Sequence, residues 1–217
     1  MRIAIAGAGN VGRAIARELL GNGHQVLLID KDPKALKLES VPNAEWLLAD
    51  ACEIAALDQA KLDGCQVLVA ATGDDKVNLV ASLLGKTEYG VPRVVARVNH
   101  PTNEWMFDPS WGVDVSVSTP RIISALVEEA VSIGDVVRLF SFRKGEANLV
   151  EITLPDTASC CGKTVGEVEL PENAALAAIV RDTHVITPKD HDVFTAGDEL
   201  LFVASSVAEE KLKSCFI

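Results

Sequence analysis

Over the first 117 residues, short apolar runs alternate with longer stretches in which apolar positions recur every three or four residues. That rhythm predicts repeated βα units and a parallel sheet. Six strands are expected, at residues 2–6, 25–29, 45–49, 66–71, 93–98 and 113–117. Several are nearly unbroken Val, Ile, Leu and Ala, as befits strands covered by helices on both faces. Between the first two, Val11, Ile15 and Leu19 share one face of a helix that Gly21 and Gly23 end, and Leu79, Val80, Leu83 and Leu84 mark another. An α/β doubly wound sheet follows, with a ligand crevice at the carboxyl ends of strands one and four, where the strand order reverses.

The pattern changes after the helix-start signal Thr119-Pro120. Residues 121–133 place Ile122, Leu126 and Ile133 on one side of a helix and Ile123, Val127, Ala130 and Val131 on another. Such a helix either packs inside one subunit or crosses over to pack on a second chain as well. From Gly134 onward, period-two alternation with turn signals predicts strands at 136–142, 149–154, 177–181 and 199–203. Turns are expected at Lys144-Gly145 and Gly197-Asp198, and a helix near 164–168. The expected domains are therefore 1–118, a crossover helix and hinge at 119–134, and a smaller, largely β module of α+β type at 135–217.

Composition narrows the function classes. The 217-residue chain is 48% hydrophobic, enough for two cores, yet holds no run near the roughly 18 apolar residues of a membrane span. Residues 1–6 lack the basic start and long apolar core of a signal peptide, so a cytoplasmic protein is expected. A net charge of −11, with 20 scattered Lys and Arg, disfavours a direct grip on nucleic acid or anionic lipid. The five cysteines, Cys52, Cys65, Cys160, Cys161 and Cys215, form no Cys-x-x-Cys pair, and His184 and His191 are too far apart for an i,i+4 metal pair. Reduced, packed thiols and no metal are expected.

The candidate chemistry lies in the first module. Gly7-Ala8-Gly9-Asn10-Val11-Gly12 directly follows a strand and opens a helix, the context that turns a weak motif into the phosphate loop of a Rossmann-type dinucleotide fold. The first glycine permits the tight turn, the second lets a pyrophosphate approach the backbone, and the third lets helix and strand pack closely. Asp30 closes the second strand about 20 residues further on, where a carboxylate takes two ribose hydroxyls and repels a 2′-phosphate. Asp50-Ala51, beyond the third strand, would meet an adenine edge, or Asp50 would cap the helix that follows. Thr72 and Gly73 could bracket the second half of a dinucleotide, while Asp74 and Asp75 are either ligands or caps. Arg97 would offer a guanidinium to a phosphate, or else pair with Asp74 or Asp75.

With these residues in view, the sequence resembles the TrkA and KtrA regulatory subunits of potassium uptake systems, whose unit is the RCK or KTN domain. The likeness rests on the glycine loop, Asp30, Asp50-Ala51, Thr72-Gly73-Asp74-Asp75 with Asn78, and Ala96-Arg97-Val98. The second half resembles the RCK carboxyl-terminal module through Val150-Glu151-Ile152, Gly162-Lys163-Thr164-Val165, Leu170-Pro171, Ala178-Ile179-Val180-Arg181, Ile186-Thr187-Pro188 and Gly197-Asp198-Glu199-Leu200. The resemblance implies a cytosolic protein at the inner face of the membrane, a homo-oligomer whose dimers assemble into a ring. It also implies a regulatory ligand, NAD(H) or ADP/ATP, and a potassium-translocating partner of the TrkH or KtrB kind. Carried over, the phosphate loop falls on Gly7, Ala8, Gly9, Asn10 and Val11, the ribose carboxylate on Asp30, nucleotide contacts on Thr72 and Gly73, and the phosphate arginine on Arg97. One copy is present, where some members carry two.

Two other classes compete. An NAD-dependent dehydrogenase needs an acid or base beside the nicotinamide and a charge to orient its substrate, whereas the second half supplies only His184, His191, Lys163, Arg181 and Lys189 in no recognisable arrangement. A redox-sensing DNA-binding regulator would need a basic helical module, which the acidic balance opposes. The expectation is a sensor without catalytic residues.

Overall fold

The computed structural model describes residues 1–131, 134–142 and 147–217. It divides into two compact units, Met1–Pro120 and Arg121–Ile217. Ile133 and the expected Lys144-Gly145 turn lie outside the described residues.

In the first unit, strands β1 (Arg2–Ala6), β2 (Gln25–Asp30), β3 (Glu45–Leu48), β4 (Val67–Ala70), β5 (Arg93–Val98) and β6 (Val115–Ser118) form one sheet in the order β3-β2-β1-β4-β5-β6. Every pairing in it is parallel, with Ala6 opposite Ile29 on one side and Ala70 on the other. Alternate strand residues enter separate cores. Ile3, Ile5, Leu28 and Val69 pack with Ala16, Ile15 and Leu19 of helix α1 (Asn10–Gly21). Ala4, Ala6, Ile29, Leu68 and Ala70 pack with Leu57 of α2 (Ile54–Gln59) and Leu79 and Ala81 of α3 (Asp75–Thr87). The near-continuous apolar strands are thus explained: both faces are covered, and each buried Leu or Ile contributes about 1.5–3 kcal/mol. The expected start of β6 at Val113 is two residues early. Gly112 takes a left-handed φ of 72° and the Val113 N–H donates to Asp108 O, so that stretch is spent on a turn before pairing with β5 begins.

Helix α4 (Thr119–Val131) begins at the end of the first unit and continues into the second. The second unit then adds β7 (Val136–Ser141), β8 (Ala147–Thr153), β9 (Ala174–Arg181), β10 (His184–Ile186), β11 (Glu199–Ser205) and α5 (Ser206–Phe216). These strands form an antiparallel sheet in the order β10-β9-β11-β8-β7. Val150, Ile152, Ile179, Leu200 and Phe202 bury against Phe194 and against Leu212 and Phe216 of α5. The helix expected near 164–168 is one 3-10 turn, Val165–Glu167, held by a capping box in which the Glu167 carboxylate accepts from the Thr164 N–H at 2.7 Å. Helix α5 is not among the expected elements. Its signal is nonetheless present: Ser205 caps the Ala208 N–H, and Ala208, Leu212 and Phe216 recur every four residues. Helix α4 exposes apolar residues from both of its expected sides, Ile122 and Leu126 from one and Ile123, Val127 and Val131 from the other.

Candidate functional site

Where the sheet order reverses between β1 and β4, a cleft of about 500 Å³ opens at the carboxyl ends of the strands. Its floor is the turn from β1 into α1. Gly7 holds φ +106°, and a Cβ there would stand 2.9 Å from the backbone of Ala71 and Thr72. Gly12 lies beneath it, where a Cβ would fall 1.9 Å from the Gly7 carbonyl oxygen. Gly9 is different: it faces open space, and it caps α1 without a side-chain acceptor. The first-turn N–H groups of α1 therefore point out of the helix with no capping side chain answering them, an arrangement that suits an anion.

Asp30 closes the neighbouring strand and already does one task. Its carboxylate accepts from the Ala8 N–H at 2.7 Å and the Asp32 N–H at 3.0 Å, tying the glycine turn to the end of β2. A carboxylate has about four acceptor positions, so room for two hydroxyls is left. Farther along, the Asp50 carboxylate accepts from the Cys52 N–H at 3.0 Å and from Lys31 Nζ at 3.1 Å. The first contact lowers its pKa below the usual carboxylate range, against burial and with help from Lys31. Glu53, not Asp50, occupies the cap position of α2, so the capping alternative for Asp50 falls away. Burial, assisted by the Asp50 charge, pushes the Cys52 thiol up to about 11, which keeps it protonated at neutral pH.

On the other side of the cleft, Asn78 of α3 is fully buried and uses its whole amide. Its Oδ1 accepts from the Thr72 N–H at 2.9 Å and the Thr72 hydroxyl at 2.7 Å, while its Nδ2 donates to Thr72 O at 3.2 Å and Arg97 O at 2.9 Å. Together with Asn99, whose Nδ2 donates to Thr72 O at 3.1 Å, this side chain fixes the Thr72-Gly73 turn to the end of β5. Asp74 caps α3 through the Lys76 N–H and also borders the cleft. Asp75 turns away, accepting from the backbone of Asn99 and His100 and the side chain of Asn103. Burial alone would raise its pKa, but those bonds outweigh it and hold the carboxyl below its usual range. Among the described ion pairs neither aspartate is joined to Arg97, whose Nε instead donates to Thr119 Oγ1 at 3.3 Å.

Of the expected ligand residues, Gly7, Gly9, Asn10, Val11, Asp30, Asp50, Ala51, Thr72, Gly73 and Arg97 line the cleft. Ala8 and Gly12 are not in its wall. Ala8 is fully buried, with its amide spent on Asp30, and Gly12 is the contact point between helix and strand. Asp74, weighed from the sequence as ligand or cap, lines it too, as do Ile29, Lys31, Ala49, Ala71 and Val77, which sequence reasoning does not assign to the ligand. Lys31 has a legible signal, a cation directly after Asp30; the apolar ones read only as core. In the second unit, Arg181 is committed to Asp198, with Nε 2.7 Å from Oδ1 and Nη2 2.8 Å from Oδ2, and His184 stands exposed on β10. No cluster of three metal-ligating side chains occurs among the described residues.

The TrkA-N domain family matches residues 3–119 and the TrkA-C domain family matches residues 149–216. The chain is 57% identical over 212 residues to the Trk system potassium uptake protein TrkA of Mycobacterium tuberculosis, covering 98% of this chain and 96% of that protein. Among solved structures it resembles the GsuK RCK domain, with a TM-score of 0.67 and 17% identity over 99% of this chain and 47% of the other. It also resembles the GsuK channel bound to NAD, with a TM-score of 0.69 and 19% identity over 98% of this chain and 39% of that one. At such identities the likeness is one of fold.

Proposed function

The chain belongs to the TrkA family, and from that premise we propose that it is a cytoplasmic, nucleotide-sensing regulatory subunit that gates a potassium-translocating membrane protein of the TrkH or KtrB kind. The observation that carries the proposal is the cleft itself: an uncapped helix end beside Gly9, with the Asp30 carboxylate one strand away. In this reading an adenine nucleotide, NAD(H) or ADP/ATP, lays its phosphates over Gly7, Gly9, Asn10 and Val11. Asp30 takes the adenosine ribose, Asp50 and Ala51 border the base, and Thr72, Gly73 and Arg97 face the distal half. No helix among the described residues is long and apolar enough to cross a membrane, so the transport path belongs to the partner.

The ligand is read and not converted. Of the acid–base and orienting candidates of a dehydrogenase in the second half, Arg181 is engaged in an ion pair with the buried Asp198. A ligand that binds two arrangements of the subunits unequally shifts them by its differential affinity, and a coupling of about 1–3 kcal/mol is about 5- to 150-fold. Arg97 offers a route, since it lines the cleft and donates to Thr119, the first residue of α4. The exposed apolar residues of α4 then suit packing against another copy in a ring built from dimers. The functional division follows: residues 1–118 bind, 119–134 transmit, and 135–217 add further contacts.

Thermal denaturation of the chain with NAD, NADH, NADP, ADP and ATP tests the site. A ligand at 100 times its dissociation constant adds about 2.7 kcal/mol. Stabilisation by one of the four that lack a 2′-phosphate supports the reading; stabilisation by NADP above all others, or by none, overturns it.

A further inference from the structure

Arg13, the residue after the third glycine, is 8% exposed. A guanidinium so buried ordinarily has a carboxylate partner, but none of the ion pairs among the described residues includes it. Its three hydrogen bonds among those residues all go to neutral oxygens. Nη1 donates to Ala8 O, at the heart of the glycine turn, and reaches Ala35 O at 3.4 Å in the turn after β2; Nη2 donates to Asn10 Oδ1 at 2.7 Å. Asn10 lines the cleft and Ala8 is flanked by two glycines that do. A full positive charge is therefore held just behind the phosphate loop, desolvated and without a carboxylate among the described residues to neutralise it.

We propose that Arg13 is the buried countercharge of the bound nucleotide's phosphates, adding its field to that of the α1 amino end. The inference rests on the reading that the cleft holds an adenine nucleotide. Its consequence is a preference graded by phosphate charge. A monopole acts on every unit of ligand charge, and in a partly screened site it changes affinity by about fivefold for each unit. The carbonyl contacts alone would give no such grading.

The test is a calorimetric titration of the full chain and its Arg13→Lys and Arg13→Met variants with adenosine, AMP, ADP and ATP, repeated at two salt concentrations. The expected result is that Arg13→Met binds adenosine within about twofold of the parent, while its loss grows from AMP to ATP and the salt dependence of ATP binding flattens. Arg13→Lys, which keeps the charge but not the fork, retains most of the grading. Equal losses for adenosine and ATP, or equally weak binding by the Lys and Met variants, overturn the Arg13 assignment while leaving the nucleotide site standing. Failure of the parent chain itself to bind any of these four, or NAD, overturns both.

Discussion

Two identical substitutions three residues apart should separate fold from ligand binding. At Gly12 an added Cβ would meet the Gly7 carbonyl oxygen at 1.9 Å and its carbon at 3.0 Å, whereas ordinary contact begins near 3.4 Å. Backbone, not a yielding side chain, stands in the way, so α1 must lift from β1 by roughly 1 Å. Overpacking of this kind costs about 1–3 kcal/mol or more, and at about 4 °C per kcal/mol Gly12→Ala should melt about 4–12 °C early. At Gly9 the same Cβ meets nothing within 4 Å, and the backbone, at φ −67° and ψ −171°, is open to any residue. Gly9→Ala should therefore melt within about 2 °C of the parent, the small loss being that of Ala at a helix cap. If phosphates lie over this loop as proposed, its methyl group takes their space, and nucleotide affinity should fall at least about tenfold, or about 1.4 kcal/mol. Melting curves with and without ADP or NAD read both effects in one experiment. A Gly9→Ala chain that still gains the parent's full ligand-induced shift would refute the placement of phosphates over this loop. A Gly12→Ala chain with an unchanged melting point would refute the close helix–strand contact.

Other outcomes follow from single features of the structure. Asp30→Ala should weaken NAD and ADP about 10- to 100-fold, since a charged acceptor for ribose hydroxyls is lost along with its hold on the Ala8 N–H, and equilibrium titration with either ligand checks it. Asn78→Leu should lower stability by about 2–4 kcal/mol in denaturant titrations, because the four bonds to Thr72 and Arg97 vanish from a buried site. Burial raises the pKa of Asp198, but Arg181 and Thr195 overcome it and leave the carboxyl below its usual range. Its contribution is then complete above the unfolded carboxylate's pKa and is lost as pH falls through the lower folded value. Denaturation between about pH 5 and pH 2 should show a loss of stability that Asp198→Asn lacks, a modest one because the Arg181 side chain is 37% exposed. Leu126→Asp with Val127→Asp, both on the exposed faces of α4, should shift the assembly toward smaller species in native mass measurement; unchanged mass would remove α4 from the proposed interface.

Some features of this protein are determined locally, and these the amino-acid order carries by itself. The βα rhythm, the glycine turn, the carboxylate ending β2 and the acidic composition without a membrane-length apolar run all follow from residue type and short spacing, which backbone sterics and burial translate directly into elements. The bracing of the cleft is not of that kind: Asn78 reads as one polar position in a helix until folding sets it against Arg97, which comes 19 positions later. Arg13 likewise reads as the polar face of α1, and only the close approach of α1 to the glycine turn buries it. Ala8 and Gly12 sit inside the motif yet behind the cleft wall, because the turn spends them on Asp30 and on helix packing. Asp74 and Asp75 are adjacent and alike in sequence, but a helix start aims one at the cleft and the other at the turn after β5. The glycine loop and Asp30 mark the candidate nucleotide site from short spacing alone; which side chains line it, which hold it in shape and which carry charge beneath it are decided by contacts between segments distant in the chain.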